Sequence, residues 1–471
     1  MTTPRRQPTL GRTRHIHMVG IGGIGMSSIA EVLLARGFAV SGSDLESSDI
    51  TRSLAVHGAR IHLGHDASHA EGADVVVYSS AVDPGTNPET QYARRHHVPL
   101  IGRPEMLGEL MRMKFGVGIA GTHGKTTTTT MTGHVVAAGG FDPTVIVGGK
   151  VSTIGTNAVS GSGDIIVIEA DEYDRTFLRL TPSIAIVTNV DADHLDCYRD
   201  LDDIRDAFVE YVSRIPFFGA AIVCIDDEGV ESILPRLDRR TVTYGTSHGA
   251  DVRAEQVAQE GRWMSFNVVH HGRLLGRARL NAPGLHNVRN GLAAIATGLE
   301  LGIDVESILQ GLSTYEGVHR RMQETGEVDG VLVVDDYAHH PVEVEATLSA
   351  ARGCWPQRRL LAVFQPHMYS RTQQFATAFA RALRSADVVV VTDVYAARET
   401  PEQGARGDVI ANELRTLGHP DVDWVPRRAD VGQHVSTRTR AGDVVITLGA
   451  GDIWRESRAL LEILKREGVT A

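Results

Sequence analysis

The sequence predicts an α/β fold divided into three domains in series. Three observations carry that reading. The chain has 471 residues, 42% of them hydrophobic, which exceeds what one core accommodates, since single cores stop growing near about 250–300 residues. Strand-like apolar runs alternate with helix-patterned stretches along its whole length. Two strand-to-helix junctions are glycine-rich turns, and the last third places polar clusters directly after four apolar runs.

The first unit opens with a strand-like run from His15 to Val19, a glycine turn, a helical pattern from Met26 to Arg36 closed by Gly37, and a second strand from Phe38 to Gly42. Apolar runs at 74–78 and 100–101 continue it to the polar cluster Arg112, Met113, Lys114, which predicts domain bounds of 15–113 behind a polar, disordered leader at 1–14. The second unit, 114–325, starts with a strand at 115–120, a turn, and a threonine-rich helix from Lys125 to Ala138 ended by two glycines. Strands follow at 165–169, 184–188 and 220–225, and short turns between 251 and 280 predict a small antiparallel sheet before a helix at 288–300. The third unit, 326–471, repeats strand and helix with buried runs at 331–334, 360–364, 388–392 and 444–448.

Composition narrows the function classes. Forty-seven Lys and Arg against 58 Asp and Glu leave a net charge of -11, which argues against nucleic acid and anionic membranes as partners. Three scattered cysteines, Cys197, Cys224 and Cys354, suit a reducing compartment better than a disulfide framework. No run approaches the roughly 18 apolar residues of a membrane span, and the N-terminus lacks a signal-peptide core. A cytoplasmic protein with no membrane insertion, a monomer or weak dimer, is expected.

Three places carry chemistry. Gly20, Gly22 and Gly25 form G-x-G-x-x-G between strand and helix, with Asp44 19 residues beyond Gly25, close to the acidic position that holds a ribose in dinucleotide folds. That turn admits a diphosphate at a helix N-terminus, a nicotinamide-dependent dehydrogenase among the options, or a purely structural bend. Gly121-Thr122-His123-Gly124-Lys125-Thr126-Thr127 is more specific: it combines backbone N–H groups, a phosphate-seeking ammonium and a magnesium-seeking hydroxyl. Ile119 stands where the strict phosphate-loop pattern has its first glycine. Lysine occurs only at 114, 125, 150 and 465 in an arginine-rich chain, so a lysine kept here points to a need for a compact charge. Glu169 and His194 follow strands downstream, where hard ligands beside a phosphate loop can complete magnesium coordination with Thr126; singly, they also read as a loop carboxylate and a capping or core histidine. In the third unit Asp335 to His340, Gln365 to Arg371, Asp393 to Tyr395 and Gly449 to Asp452 follow four strands, and an arginine with histidines there can hold a carboxylate and line the path of an amine.

With these motifs in place, and with Glu-Ala-Asp-Glu at 169–172, Asp-His at 193–194, Gly-Leu-His-Asn-Val-Arg-Asn at 284–290, Asp-Asp-Tyr-Ala-His-His-Pro at 335–341 and Phe-Gln-Pro-His at 364–367, the chain resembles the ATP-dependent Mur ligases of bacterial cell-wall synthesis over nearly its whole length. The resemblance implies an N-terminal Rossmann-like domain that binds a UDP-sugar, a central P-loop-type ATPase domain, and a C-terminal Rossmann-like domain that closes with the amino acid. It implies UDP-sugar contacts from Gly22, Gly23, Ile24, Gly25, Met26, Asp44 and Ser80. ATP contacts are implied for Gly121, Thr122, His123, Gly124, Lys125, Thr126, Thr127, Asn287, Asn290, Arg321 (or Arg320) and Asp336, the last at the ribose. Magnesium, or manganese in its place, would be held by Thr126, Glu169 and His194. Tyr337, His339, His367 and Arg371 would surround the amino acid and the muramoyl carboxylate, with Lys125, His194, His367 and Arg371 catalytic. The implied reaction joins L-alanine to UDP-N-acetylmuramate through an acyl phosphate, and a recycling ligase that attaches a preformed murein peptide is the nearest alternative. Family members that add later residues carry a carbamylated lysine about fifteen residues after the metal histidine; 208–212 contains none, which favours the alanine-adding branch. Met368 departs from the long basic residue more usual at that place.

Overall fold

The computed structural model describes residues 10–148, 158–193, 197–397, 399–400 and 405–468. Most of the expected leader, together with His194, lies outside the described residues. Among the described residues, three sheets follow one another along the chain. The first has five parallel strands in the spatial order Arg60–Leu63, Ala39–Asp44, His15–Val19, Val75–Tyr78, Leu100–Gly102. The chain builds outward in one direction from His15–Val19 and then in the other, so the loops after His15–Val19 and Val75–Tyr78 diverge and open a crevice at the strand ends. Gly20 to Gly25 and Ser80 lie on those two loops.

The second sheet has ten strands. Its parallel centre runs Thr241–Gly245, Ala220–Cys224, Ile184–Val187, Phe115–Ala120, Ile165–Glu169, Thr144–Ile146. At one edge Val252–Glu260, Trp263–His270 and Arg273–Leu280 are consecutive neighbours joined by two-residue turns, a connection that antiparallel strands make. His271 and Gly272 both sit at positive φ, 46° and 79°, which matches the twist of such a hairpin. The third sheet runs Gln323–Val328, Val331–Asp336, Asp443–Leu448, Arg359–Phe364, Val388–Thr392, Val422–Val425, antiparallel only in its first pair. The four polar clusters read from the sequence therefore follow four adjacent parallel strands.

The chain forms two compact units: residues up to 256 with 266–280 and 288–316, and 257–265 with 281–287 and 317 onward. In the first unit one hydrophobic cluster extends from Ile16 to Ile233 and includes Met106, Leu110 and Met111 beside Ile166, Ile168 and Phe177. Gly108 permits that closeness. A Cβ on this residue would stand 2.6 Å from the Arg179 carbonyl oxygen, so the Arg103–Arg112 helix lies directly against the backbone that precedes Leu180. Among the described residues, no helix is long and apolar enough to cross a membrane.

Helix propensity and packing make opposite demands at Gly108. Alanine gains about 1 kcal/mol over glycine inside a helix, whereas forcing a methyl into a filled contact costs roughly 1–3 kcal/mol. Gly108→Ala is expected to lower the melting temperature, as measured by calorimetry; a rise would show that the contact yields easily.

Candidate functional site

The first glycine turn is clamped from the neighbouring strand. The Ser43 carbonyl accepts from the N–H groups of Gly20 (2.9 Å) and Ile21 (3.1 Å), and Asp44 Oδ2 accepts from the Gly22 N–H at 2.8 Å while Oδ1 accepts from Leu45. A Cβ on Gly22 would approach the Asp44 carboxylate to 2.8 Å, so a larger residue there would force that clamp to shift. The helix Ile24–Ala35 begins immediately after and carries no side-chain cap, which leaves its N-terminal amides pointed at the crevice. Gly23 and Ile24 are exposed, as is Ser80 across the crevice, whereas the Met26 side chain is buried in the core. Of the predicted UDP-sugar residues, Met26 thus offers the crevice no side chain.

Behind that turn lies a group the sequence reading missed. Glu89 is fully buried, accepts from Ser43 Oγ at 2.6 Å, and meets His65 Nδ1 at 3.2 Å and His69 Nδ1 at 3.0 Å. His17 Nε2 stands 3.7 Å away, an ion-pair distance beyond hydrogen bonding. Burial by itself would raise this carboxyl; the surrounding imidazoles and the Ser43 hydroxyl outweigh it and hold the group down at about 2.

The second turn joins Phe115–Ala120 to Lys125–Ala138. Gly121 and Gly124 have φ of 140° and 81°, conformations that favour glycine. A Cβ on Gly121 would fall 1.9 Å from Thr188 Oγ1, and one on Gly124 would fall 2.8 Å from Asn290 Oδ1. The turn is pinned on its outer side, with Thr188 Oγ1 donating to the His123 carbonyl at 2.7 Å, Asn189 Nδ2 donating to the same carbonyl at 2.9 Å, and the His123 N–H donating to Asn189 Oδ1 at 2.7 Å. Asp191 receives the same support, its N–H donating to Thr122 Oγ1, and its carboxylate lies 3.5 Å from His123 Nε2. Neither Thr188 nor Asn189 was singled out from the sequence, although both sit in the strand end that leads to Asp193 and His194.

Lys125 Nζ donates to the carbonyls of Gly121 (2.7 Å) and Thr122 (3.2 Å) and to both carboxylate oxygens of Glu172 (2.9 and 2.7 Å). Burial works against its charge, but Glu172, Asp171 and Glu169 prevail and hold the ammonium well above the ordinary lysine range. Thr126 Oγ1 donates to Glu169 at 2.9 and 3.0 Å, and the Gly148 N–H reaches the same carboxylate at 2.7 Å. Burial nevertheless raises the Glu169 carboxyl, so this group gains from a nearby cation. Thr127 is buried beside them, and Asn290 accepts from Thr128 Oγ1 at 3.1 Å. Asn287 belongs to the second unit, where its Nδ2 donates to the Pro283 carbonyl at 2.7 Å.

In the second unit, Arg320 ties the strand ends together. Its Nε donates to Asp335 at 2.9 Å, and its terminal nitrogens donate to the carbonyls of Gly449 (2.6 Å) and Gly451 (3.2 Å). Arg321, the neighbour expected at ATP, keeps 29% of its side chain exposed, lies 3.8 Å from Glu343 and covers the Tyr337 ring at 5.2 Å. Asp336, expected at a ribose, is 3% exposed, and its oxygens accept from the N–H groups of Met322 and Ala338 and from Thr347 Oγ1. In this structure that carboxylate organises the chain around it. Tyr337, His339 and His367 do gather: Tyr337 and His339 have ring centroids 5.2 Å apart, His339 and His367 5.7 Å, and His367 stacks on Tyr395 at 5.7 Å. Glu343 lies 3.2 Å from His339 Nδ1. Arg371 starts the next helix, Tyr369–Leu383, and is 8% exposed. Met368 precedes it at a φ of 67° and donates its N–H to the Tyr395 carbonyl.

Three family profiles match in order: Mur ligase family, catalytic domain, over 15–115; Mur ligase middle domain over 119–298; and Mur ligase, glutamate ligase domain, over 320–451. A UDP-N-acetylmuramate–L-alanine ligase of Salinibacter ruber is 58% identical over 471 residues, covering 100% of this chain and 99% of that protein. The enzyme of the same name from Pelobacter propionicus is 51% identical, covering 97% and 99%. Among solved structures, a UDP-N-acetylmuramate-alanine ligase of Thermotoga maritima superposes with a TM-score of 0.80 at 31% identity, covering 97% of this chain and 100% of that one. A murein peptide ligase of Psychrobacter arcticus gives 0.67 at 27% identity, covering 96% and 98%.

The Glu89 carboxyl is lower in the folded chain than the ordinary 4.5, so its contribution is present above that value and disappears as pH falls toward about 2. Glu89→Gln is therefore expected to melt below the unsubstituted chain at pH 7, with the gap closing between pH 4.5 and 2; a constant gap across that range counts against the charge. Arg320→Lys keeps the charge but cannot span Asp335 and two carbonyls at once, and chemical denaturation is expected to register a loss of about 1–3 kcal/mol.

Proposed function

The chain belongs to the Mur ligase family, and from that premise we propose that it joins L-alanine to the lactyl carboxylate of UDP-N-acetylmuramate at the expense of ATP, in the assembly of peptidoglycan precursors. The observation that carries the reading is the Gly121–Thr127 turn, a backbone cradle with a charged lysine and a hydroxyl–carboxylate pair at a helix N-terminus, in a chain 58% identical from end to end to a ligase of that name. The nicotinamide alternative leaves Lys125, Thr126 and Glu169 without a task.

We assign the work in three parts: 15–113 to the UDP-sugar, 114–325 to ATP, and 326–471 to the amino acid. A carboxylate is a poor acyl donor, so its oxygen first attacks the γ-phosphorus of ATP, ADP leaves, and an acyl phosphate forms. The alanine amine then attacks the carbonyl carbon, phosphate leaves with the C–O electron pair, and the amine gives up its proton. Lys125 and the turn's amides answer the charge that builds on the transferring group, where electrostatics and positioning supply most of the catalysis. Thr126 and Glu169 are hard oxygen donors suited to magnesium, or manganese, with His194 as a third donor; the metal when bound supplies positive charge at the phosphate oxygens. Tyr337, His339, His367 and Arg371 are proposed to receive alanine and the muramoyl carboxylate. A protein of this kind works in the cytoplasm.

Phosphate release from ATP and magnesium is expected only when UDP-N-acetylmuramate and L-alanine are both present. Preference for an L-alanyl tripeptide over alanine would move the chain to peptide recycling. Lys125→Ala is expected to cut turnover by at least about a thousandfold, and near-normal turnover would sink the assignment of the turn.

A further inference from the structure

The Lys125 ammonium already has a full set of acceptors. It carries three N–H donors, which are shared among the Gly121 and Thr122 carbonyls and the two Glu172 oxygens. A phosphate oxygen that reaches Lys125 must therefore replace something. The carbonyls belong to the turn itself, which Thr188 and Asn189 hold in place. Glu172 comes from another segment and presents two anionic oxygens to the ammonium, as a phosphate does.

We propose that Glu172 is a positioning residue that stands in for a nucleotide phosphate on Lys125 and is exchanged for that phosphate when nucleotide binds; this rests on reading the Gly121–Thr127 turn as the phosphate site. The segment that delivers Glu172 is built for the purpose. Asp174 and Arg175 both take left-handed φ, 52° and 54°, a conformation that Asp tolerates and Arg rarely adopts. The bend is secured from both sides: the Arg175 N–H donates to the Glu172 carbonyl at 3.0 Å, the Tyr198 hydroxyl donates to the same carbonyl at 2.6 Å, and the Arg175 guanidinium lies 2.6 Å from Asp203. The outcome is a carboxylate only 2% exposed, aimed at a lysine 13% exposed. Paired with Glu172, the Lys125 charge is neutralised. After exchange, Glu172 is left close to Asp171 and Glu169 with phosphates nearby, so nucleotide binding and divalent-cation binding become coupled.

A pair that served folding alone would make the opposite prediction, because removing Glu172 would leave a buried ammonium unpartnered, lower the melting temperature and weaken ligand binding. The test is equilibrium binding of magnesium-free ADP to the full chain by titration calorimetry, with Glu172→Gln, Glu172→Asp and Lys125→Ala beside the unsubstituted protein. Glu172→Gln is expected to bind about tenfold more tightly, Glu172→Asp to stay within about threefold of the unsubstituted chain, and the gain to shrink when magnesium is added. In turnover, the KM for ATP of Glu172→Gln falls while kcat does not rise. Equal or weaker binding by Glu172→Gln, with binding lost in Lys125→Ala, overturns the exchange and leaves the phosphate reading intact; undiminished binding by Lys125→Ala overturns both. Should Glu172→Gln fail to fold, the four lysines make side-chain NMR of the unsubstituted chain decisive: the Lys125 Cε signal, assigned by its loss in Lys125→Arg, moves on addition of ADP if the carboxylate is exchanged and stays put if the proposal is wrong.

Discussion

Enclosing an ammonium in a turn of backbone is possible only where carbonyls and carboxylates compensate the loss of water, and around Lys125 that requirement shapes everything within reach. Gly121 and Gly124 must be glycine so that the turn can curl under Thr188 and Asn290 and offer its carbonyls inward. Glu172 must be buried, which requires the left-handed bend at Asp174 and Arg175, which in turn requires Tyr198 and Asp203 to hold it. Glu169 is then left with a hydroxyl and an amide as its immediate partners, and burial lifts its carboxyl.

The second unit solves a different problem with a similar device. Four parallel strands end side by side, and their outgoing loops carry most of the polar groups. Arg320 reaches across two of these ends, from Asp335 to the Gly449 and Gly451 carbonyls, while Gln365 Nε2, at a third, donates to Asp452 and its Oε1 accepts from the Ile453 N–H. Held this way, the loops can present Tyr337, His339, His367 and Tyr395 as one aromatic row.

Much of this was legible in the residues. Continuous valine and isoleucine runs such as 388–392 marked buried parallel strands, and both glycine turns fell where the sequence put them, between strand and helix. Strands with no apolar rhythm escaped: Gln323–Val328 reads QETGEV, and its place in the sheet is set by pairing with Val331–Asp336 across a bulge. Adjacent residues of one type were also beyond sequence reasoning. Nothing in Asp335-Asp336 or Arg320-Arg321 says which member turns inward, since that depends on strand register and on a positive φ at Arg320. Glu89 was invisible for another reason. Its partners Ser43, His65 and His69 lie 20 to 46 residues away, joined to it only by the fold.

The contact at Gly108 has a consequence for how such chains can diversify. Helix and neighbouring backbone meet there with no room for a methyl group, and the apolar cluster around them is shared by the segments before and after residue 113. A crossover between two related genes near that codon would pair one parent's Met106, Leu110 and Met111 with the other parent's 166–180 surface. Only parents already matched at that seam would yield a packed hybrid, so the boundary most visible in the sequence is a poor place for recombination.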